Sequence, residues 1–217
     1  MNISLRVALN TSVEQKARLL ALQVAFAQVC NALAPTVQQT RVWNRVALHQ
    51  LMYRSLRERF PEMGSQMVCN AIYSVSRTSR LLFQNPASPF SIARLGNKPL
   101  PLFRYADTCP VYFDRHTLSV KDGQLSMYTL DGRMRFDLAL TPQDEANFRQ
   151  KKLREVVLAM RSDGVYELSF QLSTLDEGMD GVGVGVEGEE GDNAPSLSLS
   201  VPDKAEIPEY VMVEEAL

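Results

Sequence analysis

Three Asp-Gly pairs, Asp122-Gly123, Asp131-Gly132 and Asp163-Gly164, each stand between two short runs of strand-forming residues. Glycine reaches positive φ without a Cβ penalty and Asp tolerates it, so such a pair marks a two-residue hairpin turn. The pairs commit the second half of the chain to antiparallel strands over 100–105, 111–113, 117–120, 124–130, 133–140, 153–161 and 165–172. One short helix, 141–150, interrupts them.

The first half has a different period. Ile3, Leu5, Val7 and Leu9 alternate as a strand with one buried face. Ser12 with Gln15, or the overlapping Thr11 with Glu14, forms a capping box, after which Leu19, Leu22, Phe26, Val29 and Leu33 recur at helical spacing until Pro35. A second helix over 38–60 turns Val42, Val46, Leu51 and Leu56 inward and presents Arg41, Arg45, Arg54, Arg57 and Arg59. Pro61 and Gly64 break it, and Ser65 caps a third helix with Met67, Val68, Ala71, Ile72, Val75 and Leu82 on its apolar face. Helical spacing places Gln66, Asn70, Tyr73, Arg77 and Arg80 in one row on the opposite side. Residues 85–101, with four prolines and Gly96, read as an irregular connection.

The predicted fold is α+β. Residues 1–10 and 99–172 form a small closed or partly closed β-barrel, 11–98 a helical lobe inserted after the first strand, and 173–217 an acidic, Gly-rich, disordered tail. Charge follows the same division. Residues 1–172 hold 22 Lys and Arg against 13 Asp and Glu, whereas 173–217 hold one Lys against 12 acids. A basic body is the electrostatic footprint of a polyanion partner.

Several chemistries are disfavoured. Cys30, Cys69 and Cys109 are odd in number and lack a C-x-x-C pair, and His49 and His116 have no second ligand at metal-binding spacing, so they read as surface or structural residues. No metal and no cofactor are expected. Asp122 and Asp131 are turn residues, and Asp114 and Asp137 alone do not make a carboxylate site. Trp43 reads as a core or interface anchor. The Gly-Val run after Asp180 lacks the Lys and the following helix of a phosphate loop, and Glu187, Glu189 and Glu190 would repel an anion. No leader pattern opens the chain and no segment reads as a membrane span, which predicts a cytoplasmic protein.

Two segments carry a resemblance. Tyr53 to Ile72, YRSLRERFPEMGSQMVCNAI, resembles the Y-x-x-L-R-x-x-F-P then S-Q-x-x-x-N-A-I pattern of the transposon-encoded TnpB (OrfB) family, RNA-guided nucleases related to type V CRISPR effectors. Cys109 to Phe136 is similar to the strand-rich segment that follows in that family. The resemblance covers roughly residues 1–172 and implies a wedge-like barrel with a helical recognition insertion that grips guide RNA and its heteroduplex with DNA. The family's RuvC nuclease domain begins later, with an Asp that follows a Gly-Ile or Gly-Val pair. Here Asp180 precedes such residues and no further carboxylate motif comes after it.

The expectation is therefore a non-enzymatic nucleic-acid-binding protein of transposon origin, a truncated TnpB-like transposase that binds structured RNA or an RNA–DNA heteroduplex and does not cleave alone. The candidate contacts are Arg54, Arg57, Gln66, Asn70, Tyr73, Arg77 and Arg80 in the lobe, with Arg104, Arg115, Arg133 and Arg135 on the strands as the weaker set, since alternating charges are common on a barrel exterior. Two alternatives remain: half of a split nuclease completed by a separate RuvC-type subunit, or a regulatory remnant masked by its own acidic tail.

Overall fold

The structure, a computed structural model, describes residues 3–174 and 207–214. The readings of Asp180, of the glycine run and of the acids between 175 and 206 fall outside the described residues.

The chain is α+β. Strand β1 (Ile3–Ala8) leads into α1 (Val13–Thr40), α2 (Arg45–Arg59) and α3 (Ser65–Ser79), which runs on into a π-helical turn at Arg80–Gln84. After the single turn α4 (Ile92–Leu95) come β2 (Leu102–Tyr105), β3 (Val111–Phe113), β4 (Leu118–Lys121), β5 (Gln124–Thr129) and β6 (Gly132–Asp137). Helix α5 (Pro142–Gln150) precedes β7 (Lys151–Met160) and β8 (Tyr166–Thr174), and β9 (Val211–Glu214) closes the described chain.

All strand pairing is antiparallel, in three sheets ordered β1-β8-β7-β3, β2-β9 and β4-β5-β6. Asp122-Gly123 is the two-residue hairpin turn that the sequence puts there, whereas the β5–β6 turn falls on Leu130 and Asp131, with Gly132 paired to Thr129, and the β7–β8 connection takes three residues, Ser162 to Gly164, between Arg161 and Val165. Asp122 has φ 50° and Gly123 φ 74°, as a type I′ hairpin requires, and Gly132 and Gly164 also have positive φ. The first strand returns to the end of the basic body, with Ile3 opposite Leu172 and Ala8 opposite Glu167, so the helical block lies between two paired strands.

The barrel is the first correction: none of the three sheets closes. β1 and β3 are the two edges of the four-stranded sheet, and β3 is only three residues long. Immediately after it the Asp114 carboxylate accepts hydrogen bonds from the backbone of His116 and Thr117, which turns the chain out of that sheet and into the β4–β6 meander. Helix α1 packs on β2 and β3, α3 packs on β3, and α5 packs on β7 and β8. A single core runs from Leu22, Phe26 and Leu33 of α1 through Ile72 and Val75 of α3 to Phe113, Leu158 and Phe170 of the sheet.

The helices also differ from their expected bounds. Ser12 and Gln15 make the capping box reciprocally, yet α1 continues through Pro35 for another turn. A mid-helix proline costs about 3 kcal/mol. Full burial of Val37 beyond it, and the Gln38 side chain donating to the Leu100 carbonyl, offset that cost. Helix α2 starts at Arg45 because the Asn44 Oδ1 accepts from the N–H groups of Val46 and Ala47. Its buried seam is Leu48 and Leu56, while Val46 is 64% and Leu51 55% exposed, opposite to expectation. Ser65 is the first residue of α3 rather than its cap, a place taken by Gly64. By length and composition α1 is apolar enough to cross a membrane, and within this fold its apolar residues pack against α3 and β2.

Gly64 marks where the lobe meets the meander. The Tyr128 hydroxyl accepts from its N–H and donates to the Glu62 carbonyl, and a Cβ at Gly64 would lie 3.0 Å from the Tyr128 ring. Gly64→Ala is expected to lower stability by about 1–2 kcal/mol in urea unfolding, because a ring held by two hydrogen bonds does not give way.

The second correction concerns only the described parts of the predicted tail. Ser173 and Thr174 continue β8, and residues 207–214 are ordered, with β9 paired to β2 from Leu102↔Glu214 to Tyr105↔Val211. Val211 is buried, Tyr210 stacks on Tyr105 at 6.3 Å, and Ala106 donates to the Tyr210 carbonyl at 2.9 Å. Acidic composition concealed this short apolar alternation. Val211→Asp places an unpaired carboxylate against that core and is expected to cost about 2 kcal/mol, read by thermal unfolding.

Candidate nucleic-acid interface

The row on α3 exists, but it faces the sheet. Asn70 is buried, with its amide within 3.5 Å of the Thr117 hydroxyl, and Gln66 Nε2 donates to Asp114 Oδ2 at 2.6 Å. The Tyr73 hydroxyl donates to Glu155 Oε2 at 2.7 Å, and Arg77 pairs with both Glu155 oxygens at 3.1 and 3.2 Å while its guanidinium lies over the Tyr112 ring. Burial, reinforced by the Glu155 charge, pushes the Tyr73 hydroxyl up to about 12. Burial works against the Arg77 charge, but Tyr112 and Glu155 outweigh it and hold the guanidinium protonated above its ordinary range. These side chains join the lobe to β3, β7 and the turn after β3.

The remaining members of the row and of α2 are disposed differently. Arg80 is exposed at the start of the π-helical turn. Arg54 is 94% exposed and makes only an i,i+4 contact to Glu58 at 3.4 Å. Arg57 donates to the Met63 carbonyl and so closes the loop between α2 and α3. Arg59 is exposed, its guanidinium over the Phe60 ring. Arg41 takes a left-handed conformation at the end of α1 and donates to the carbonyls of Gly96 and Lys98.

On the strands, Arg104 pairs with Glu214 of β9 at 2.6 Å. Arg133 reaches across to Ser126, while Arg135 is exposed on the same outer face of β6. Arg115 lies beside His116 in the turn after β3, 3.3 Å between their nitrogens. Trp43 packs against Phe83 at 5.7 Å as a core anchor.

Two groups missed as candidates stand out. Arg45 lies over the Tyr73 ring at 5.4 Å, and His49 stacks on Tyr53 with centroids 4.5 Å apart and an 18° tilt. Both line a cleft between α2 and α3 with Val46, Gln66, Cys69 and Ile72. The i,i+4 spacing of Arg45, His49 and Tyr53 was the available signal for a shared face.

Residues 11–98 hold 11 Lys and Arg against three Asp and Glu, so nearly all the surplus of the body resides in the helical block. Within that block, ion pairs among the described residues reach only Arg18 to Asp131, Arg54 to Glu58 and Arg77 to Glu155. Arg45, Arg59, Arg80, Arg94, Lys16 and Lys98 stand outside them. Among the described residues no cluster of His, Cys, Asp and Glu is placed to hold a metal ion. The Cys30 and Cys109 thiols are buried and both are pushed up by that burial. Compared with family models and with curated proteins, the chain matches none.

Proposed function

We propose that this chain is a nucleic-acid-binding protein of transposon origin, related to the N-terminal half of TnpB-like proteins, which holds structured RNA or an RNA–DNA heteroduplex and does not cleave by itself. The observation that carries this reading is the surplus positive charge of the helical block, carried by the exposed Arg45, Arg54 and Arg59 of α2 and by Arg80. Guanidinium groups outside internal ion pairs are available to phosphates, and the release of condensed counterions drives such binding. The buried Asn70 and the half-buried Tyr73 and Arg77 hold the lobe against the sheet in this scheme, and contact falls to Arg45, Arg54, Arg59 and Arg80, with Arg133 and Arg135 on the outer face of the meander. The wedge-like role of the strands, as a support from which the lobe projects, belongs to the same reading.

Sequencing the RNA that copurifies with the protein tests it. One structured RNA supports guide-type binding; a random sample of cellular RNA reduces the reading to basicity alone. Metal-dependent cutting of labelled DNA would overturn the non-catalytic part. A second reading, restraint of binding by the acidic end, is favoured by the Arg104–Glu214 pair, which already engages one cation of the body. Glu214→Gln then raises RNA affinity at low salt, and unchanged affinity removes this reading.

A further inference from the structure

The cleft between α2 and α3 encloses about 290 Å³ and brings together groups with unused binding capacity. Arg45 makes no hydrogen bond or ion pair among the described residues; one face of its guanidinium is toward Tyr73, which leaves the in-plane N–H donors available. Gln66 spends its Nε2 on Asp114, and its Oε1 has no donor among the described residues. His49 is exposed, steadied by its stacking on Tyr53. Val46 and Ile72 supply apolar wall. Burial raises the Cys69 thiol above its ordinary value, so it brings no negative charge to the cleft at neutral pH. The nearby carboxylate, Asp114, has Oδ2 occupied by Gln66 and Oδ1 by Thr117 and the His116 N–H.

We infer that this cleft takes one unstacked nucleotide of a single-stranded RNA segment, with Arg45 on its phosphate, the base against His49 and Val46, and the Gln66 carbonyl reading a donor on the base edge. The inference rests on the RNA-binding reading and specifies which part of the RNA this surface holds. A planar ring, a guanidinium with free donors and a single amide acceptor beside apolar wall are the groups that receive splayed bases. The volume lies just under the range of small-ligand pockets, on the scale of one nucleotide.

The test compares an oligouridine with a blunt RNA duplex of equal length, on the full chain at low salt. His49→Ala lowers oligouridine affinity about tenfold, the scale of one stacked base, and leaves duplex affinity within about threefold. The His49 side chain is at the surface, and an unchanged circular dichroism melting curve verifies the fold. Equal losses on the two probes, or no loss on either, overturn the cleft while RNA binding as such stands. Wild-type protein that binds neither probe overturns both. Crosslinking with 4-thiouridine in the oligouridine gives an independent reading. Adducts confined to residues 45–72 support the cleft, and adducts elsewhere on the basic surface reject it.

Discussion

Replacing Arg45, Arg54, Arg59 and Arg80 together by Gln is expected to weaken binding of structured RNA on the order of hundredfold near physiological salt. The slope of log affinity against log salt should become shallower by about four, close to one per phosphate contact removed. Among the described residues none of the four has a strong ion pair, since Arg54 alone has an acidic partner there, at 3.4 Å and highly exposed, so the fold should be unaffected. Salt-dependent filter binding measures both quantities. Unchanged affinity and slope would mean that the positive charge of α2 and the π-helical turn does not meet phosphate, and the functional proposal would fall with it.

The second large effect concerns stability. Glu155→Ala removes the group that joins α3 to β7: it accepts from Tyr73 at 2.7 Å and from Arg77 at 3.1 and 3.2 Å, and its side chain is only 16% exposed. Breaking a buried pair from one side costs about 3–5 kcal/mol, because the remaining charge is left without compensation. The Arg77 side chain is 39% exposed, so water screens part of that charge and the expected loss is about 2–3 kcal/mol. Urea unfolding of Glu155→Ala, Arg77→Ala and the double variant measures the coupling directly. Additive losses would show that Glu155 and Arg77 are independent, and the description of this cluster as the joint of the lobe would be wrong.

The contrast between these two sets of residues separates legible from hidden features. Gln66, Asn70, Tyr73, Arg77 and Arg80 form one row because helical spacing requires it, and the row is present on α3. What lies opposite the row depends on chain crossing: β3, β7 and the turn at Asp114 come from some forty to eighty residues further on. A helical wheel has no access to those partners, so residues that read as a contact face became a joint. Arg54 and Arg80, which face solvent, stayed where the sequence placed them. The same limit applies to α2. Leu56 is buried as expected, but Leu48 takes the inward place expected of Val46 and Leu51, because packing against α3 chooses the seam of a weakly amphipathic helix.

Local chemistry alone decided the Asp122-Gly123 hairpin, the Ser12 and Gln15 capping box, the switch from helical to strand period, and the concentration of cations in residues 11–98. Each depends on backbone sterics or on charges only a few residues apart. The division of the strands into three open sheets, the passage of α1 through Pro35 and the return of Val211 onto β2 were settled by tertiary packing. Those outcomes turn on buried area shared between segments far apart in the chain, a quantity that no local window contains.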